Sequence, residues 1–136
     1  MTRPDLGEFL RQSAARRREP GVWDCCTFPA AWAIANGCPD PMADWRGRYH
    51  TEAQALDLIA DGGGLVDLFT RGFSGAGVSP AGGPFEPGDI GVVQLLGEQA
   101  GAVYTGKRWA LVADRGMAFA SIASEHIVRA WRVANG

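Results

Sequence analysis

Cysteine, histidine and carboxylate side chains are what could make this chain an enzyme, and they crowd first at Trp23-Asp24-Cys25-Cys26-Thr27-Phe28. This stretch joins a break at Glu19-Pro20-Gly21 to a run of small and apolar residues, Ala30-Ala31-Trp32-Ala33-Ile34-Ala35, closed by Asn36-Gly37. A cysteine delivered by a loop to the start of a buried helix is a good nucleophile. The helix N-terminus carries partial positive charge and unpaired N–H groups, both of which favour a thiolate. Acyl transfer needs two more things: a base within hydrogen-bond reach and donors for the oxyanion. Cys25 is the candidate nucleophile and Asp24 the candidate organiser of its loop. The chain holds two histidines as possible bases, His50 and His126. His50 directly precedes a capping box and His126 precedes the last strand, so each also has an ordinary reading as an exposed or capping residue. Asp89 or Asp114 could substitute as a base only after strong desolvation.

The other function classes are narrowed by composition. A chain of 136 residues is one domain by length, and 46% hydrophobic against 21% charged residues describes a globular protein with its own core. A net charge of −2 offers no field for nucleic acid or for an anionic membrane, and the local run Arg16-Arg17-Arg18 reads as a solvated helix end. Three cysteines, two of them adjacent, are not a disulfide framework, and no spacing of Cys and His suits zinc. No cofactor is implied. Neither a signal-peptide core nor an apolar run of membrane-spanning length is visible, which implies synthesis in the cytoplasm without export.

The elements that must position Cys25 follow from periodicity and caps. Residues 5–18 predict a helix with Leu6, Phe9, Leu10 and Ala14 on one face. Residues 25–36 predict a second, whose start is ambiguous because Asp24 and Thr27 are both good caps. Cys38-Pro39-Asp40-Pro41 breaks the chain and leads into a turn through Trp45. Thr51-Glu52-Ala53-Gln54 is a capping box that starts a third helix, ended by Gly62-Gly63-Gly64, and Leu65–Phe69 predicts a short fourth. From 72 to 88 the chain reads as a surface loop rich in Gly, Ser and Pro. Beyond Pro87-Gly88-Asp89 come short β runs at 90–95, 101–105, 108–113, 117–122 and 127–133, with turns at Gly106-Lys107 and Asp114-Arg115-Gly116. Helices followed by an antiparallel meander make an α+β fold.

Several motifs, in this order, carry a resemblance. Asp24-Cys25-Cys26 matches an Asp-Cys-Ser-type nucleophile motif, Gly88-Asp89-Ile90 matches a Gly-Asp-hydrophobic strand start, and Ala102-Val103-Tyr104-Thr105-Gly106 echoes Gly-Ile-Tyr-x-Gly. The chain thereby resembles the NlpC/P60 group of papain-like cell-wall peptidases. With Trp45-Arg46-Gly47-Arg48-Tyr49 and Ala130-Trp131-Arg132-Val133 added, it is similar over nearly its whole length to a family encoded in the tail modules of tailed phages and prophages. The resemblance implies a single papain-like domain over 1–136. It also implies a tail-tip or baseplate component of the virion, with other tail proteins as partners and peptidoglycan as the substrate if any peptidase activity is kept. One departure stands out. The group's catalytic His falls on Ala100, and alanine takes no proton. If catalysis is gone, Trp45, Arg46, Arg48 and Tyr49 become the candidate partner surface, because Trp and Arg are the usual interface anchors. Trp23 is a further loop residue of this kind, whereas Trp32 and Trp131 read as core and Cys38 as structural.

Overall fold

The computed structural model describes residues 4–133. Four helices precede five strands: α1 Leu6–Ala14, α2 Thr27–Ala35, α3 Glu52–Asp61, α4 Leu65–Gly75, β1 Ile90–Leu95, β2 Glu98–Tyr104, β3 Trp109–Val112, β4 Met117–Ala120 and β5 Ile127–Trp131. The strands form one antiparallel sheet in the order β4-β3-β2-β1-β5. This is the expected α+β architecture with one refinement: β1 to β4 run as a meander, and β5 returns to pair with β1.

The sheet begins with a locked corner. Gly88 sits at φ 91°, where a side chain would be strained, and Trp32 of α2 donates its indole N–H to the Gly88 carbonyl at 2.9 Å. Asp89 is fully buried and accepts two bonds from the Arg132 guanidinium, at 3.0 and 2.9 Å, and one from the Glu86 N–H at 2.9 Å. The Gly-Asp motif therefore ties the start of β1 to α2 and to the residue after β5. Phe28, Trp32, Phe73, Ile90, Val92, Val103 and Trp131 fill the space between the helices and the sheet. A smaller cluster around Val93, Ala102 and Trp109 packs with Phe85.

α2 lies against β2, and glycine makes that approach possible. A Cβ on Gly101 would overlap the Cys25 carbonyl and press on Phe69 and Pro29. Gly72 does the same for α4, since a Cβ there would overlap the Pro41 carbonyl. α4 accordingly runs on to Gly75, well past the short helix expected from Leu65–Phe69. β2 also starts earlier than expected, at Glu98, because Leu96-Gly97 makes a two-residue turn with φ 51° and 80°.

α1 stops at Ala14, which corrects the expected helix over 5–18 and the reading of the arginine run as its solvated end. Each of the three arginines has a separate task. Arg16 places its guanidinium 4.0 Å from the Trp23 ring centroid, Arg17 forms a backbone bridge with Arg115, and Arg18 bonds Glu52 at 2.9 Å. Among the described residues no helix is long and apolar enough to cross a membrane.

Candidate functional site

Asp24 organises the start of α2. Its Oδ1 accepts from the N–H groups of Cys26 and Thr27, both at 2.9 Å, while its own N–H donates to Thr27 Oγ1 at 2.7 Å. The two residues that compete as caps in the sequence thus cap each other. Oδ2 accepts from the Gly21 N–H at 2.8 Å and from the Tyr49 hydroxyl at 2.6 Å. This buried carboxylate pins three segments together: the Gly21 turn, the helix start, and the end of the Trp45 turn. Burial, aided by the neighbouring acidic groups, raises Tyr49 far above its usual value and keeps it a neutral donor.

Cys25 follows in the turn just before the N-cap Cys26, half-buried, and lines a cleft of about 540 Å³. Arg18, Glu52, Leu56 and Ile59 form part of the wall, and Gly97, Glu98, Gln99 and Ala100 at the start of β2 form another. The Cys25 and Cys26 sulfurs stand 3.9 Å apart. The Cys26 S–H bond, with smaller help from the Gly101 backbone and Arg18, holds the Cys25 thiol below its usual value although burial and Asp24 oppose it. Cys26 is the mirror image: its bond to Cys25 and its burial push its thiol well up. Cys38 lies past the end of α2, where burial raises its thiol.

The cleft brings Cys25 and Ala100 together, and neither histidine lines it. His50 is exposed, and its backbone N–H donates to the Gln54 side chain at 2.8 Å as part of the α3 cap. His126 is exposed in the 3-10 turn before β5. Asp89 is held by Arg132, and Asp114, with a side chain 92% exposed, lies 3.7 Å from Arg18. None of these four is placed as a base for Cys25. Three N–H groups at the helix start are also engaged: those of Cys26 and Thr27 go to the Asp24 carboxylate, and that of Phe28 goes to the Asp24 carbonyl at 3.0 Å. What remains is a thiol facing a cleft that no imidazole lines, with the N–H groups of the helix start already engaged.

The expected partner surface needs correction. Trp45 is 6% exposed and Tyr49 1%, their rings stack at a centroid distance of 6.2 Å, and Trp23 is equally buried. Arg46 grips Asp40 at 2.6 and 3.1 Å, and Arg48 bonds the Asp44 carbonyl at 3.2 Å. Apolar loop tryptophans were drawn into the core because Asp24 pulls the Tyr49 end of the turn inward. The apolar side chains that do reach solvent around the cleft are Leu56 and, at the β1–β2 tip, Leu96. Hairpin turns with two positive φ angles normally show Asn or Gly, so Leu96-Gly97 carries only half of that signal in the sequence.

No curated protein and no solved structure matches this chain. A family model does, over residues 2–133, and by that match the chain belongs to the family described as Domain of unknown function (DUF6950).

Proposed function

We propose that the chain is a tail-tip or baseplate component of a tailed phage or prophage, built on a papain-like, NlpC/P60-type scaffold that has lost its peptidase chemistry. One observation carries the loss. Ala100, the residue on which the sequence resemblance puts the imidazole of those peptidases, lines the same cleft as Cys25 and offers only a methyl group. The engagement of the helix-start N–H groups by Asp24 supports the same reading. The tail assignment rests on the order of the sequence motifs, from Trp23-Asp24-Cys25-Cys26 to Ala130-Trp131-Arg132-Val133. Quantitative mass spectrometry of purified tails tests it: the chain is expected at a fixed copy number relative to the major tail protein. Its presence in the lysate and absence from washed tails overturns the assignment.

A second reading is favoured by the lowered Cys25 thiol in an open cleft. In it the protein is a cysteine peptidase or amidase acting on peptidoglycan stem peptides with Cys25 as the nucleophile. Release of stem-peptide fragments from purified cell walls by the wild type, abolished in Cys25→Ala, would establish it. Equal results for the two proteins remove it.

A further inference from the structure

Peptide hydrolysis leaves one feature of the cleft unused, the second sulfur. Cys26 is buried directly behind Cys25, its sulfur 3.9 Å away, and both residues line the same opening. Van der Waals contact between two sulfurs, one on a half-buried residue at the cleft and the other on a buried residue beside it, is the arrangement of an attacking and a resolving thiol. We propose that Cys25–Cys26 is a peroxide-reactive site, in which Cys25 is oxidised by a hydroperoxide entering the cleft and Cys26 converts the product to a reversible disulfide.

The chemistry balances without a base on the protein. The Cys25 thiolate attacks the terminal oxygen of the hydroperoxide. An S–O bond forms, the O–O bond breaks, and the alkoxide or hydroxide that leaves takes a proton from water. The sulfur has lost two electrons to the peroxide and is now a sulfenic acid. Cys26 then attacks the Cys25 sulfur: the S–S bond forms, the S–O bond breaks, and the hydroxyl departs with the Cys26 proton as water. The net change is two thiols and one hydroperoxide to one disulfide, one alcohol and one water.

Geometry explains why the product would be labile. Neighbouring α-carbons are about 3.8 Å apart, inside the separation that ordinary disulfides favour. The sulfurs must also close from 3.9 Å to about 2 Å while the Cys26 N–H is held by Asp24. A bond formed under that constraint is easily reduced by a small dithiol. Cys38 lies outside the cleft and is a free cysteine, so it serves as the internal control.

The test is to treat the purified protein with one equivalent of hydrogen peroxide and read the product by thiol titration and peptide mass spectrometry. We expect two of the three thiols to disappear, with the Cys25–Cys26 peptide lighter by two hydrogens and Cys38 still alkylatable. A dithiol should restore both. In Cys26→Ser, which changes one atom, a dimedone adduct should accumulate on Cys25, and in Cys25→Ser the other two thiols should survive. Persistence of sulfenic acid in the wild type, oxidation of Cys38 ahead of Cys25, or disulfides formed only between molecules would each overturn the proposal.

Discussion

The Tyr49 hydroxyl donates to Asp24 Oδ2 at 2.6 Å across 25 residues of sequence, and this bond anchors the Trp45 turn against the start of α2. A hydrogen bond to a charged group in a buried setting contributes about 1.5–3 kcal/mol. Tyr49→Phe should therefore lower stability by about 2 kcal/mol, read as a fall in the urea midpoint at unchanged slope. Asp24→Ala removes the acceptor of four bonds and should cost about 4 kcal/mol or prevent folding. Equal, small effects for both variants would contradict the role given to Asp24.

The three thiols should separate by reactivity. Only the thiolate is alkylated, so each rate rises as pH passes the thiol's pKa. For Cys25, lowered chiefly by the Cys26 bond, the rise should come below the ordinary value of about 8.5. For Cys38, raised by burial, it should come above. Iodoacetamide labelling read by peptide mass spectrometry should thus give Cys25 first, Cys38 later and Cys26 last. A common rise for all three would show that the pair is not asymmetric.

Ala100→His should return a proton acceptor to the Cys25 cleft. An imidazole beside the thiol stabilises the thiolate, and labelling of Cys25 at pH 6 should accelerate by roughly tenfold or more. Cell-wall hydrolysis is not expected to follow, because the helix N–H groups stay on Asp24. Unchanged labelling would mean that position 100 does not address the sulfur.

Gly101→Ala should separate α2 from β2. The added methyl would overlap the Cys25 carbonyl, which cannot swing aside as a flexible side chain would. A loss of about 3 kcal/mol is expected in thermal or urea unfolding. A neutral result would show that the helix approaches the strand less closely.

Leu96 carries a β-carbon at φ 51° and is fully exposed, 103% on the relative scale. Leu96→Asn places a residue that tolerates this conformation and should raise stability by about 0.5–1 kcal/mol in urea unfolding. If the proposed tail role holds and Leu96 is a contact residue in it, the same variant should weaken retention on tails. A variant that is both less stable and fully retained would contradict both points.

Much of this fold is legible in local sequence because its boundaries are marked locally. Thr51-Glu52-Ala53-Gln54 starts α3 as its residue types require, Thr51 Oγ1 accepting from the Gln54 N–H at 3.1 Å. Ile90–Leu95 falls on its expected span, and the two later hairpin turns close at Gly106-Lys107 and Asp114-Arg115-Gly116. The length of α4 was hidden because Gly72 and Gly75 look like breakers, and the reason for Gly72 is the Pro41 carbonyl, a contact across the fold. The burial of Trp45 and Tyr49 was hidden for the same reason, since the Asp24 bond that draws them in spans 25 positions. At the site, Cys25 and Ala100 could be paired in advance through the motifs that flank them. The engagement of the helix N–H groups by Asp24 could not, because one carboxylate may cap in several ways.

The two edges of the sheet are not equivalent. Beyond β5, the Pro80 segment bridges to Trp131, and the Ala81 N–H bonds the Ala130 carbonyl at 2.8 Å. Beyond β4, no further strand lies alongside among the described residues, and Phe119 stands 45% exposed there. Strand addition is therefore hindered at the Trp131 end of β5, while β4 presents an edge with no strand beside it among the described residues.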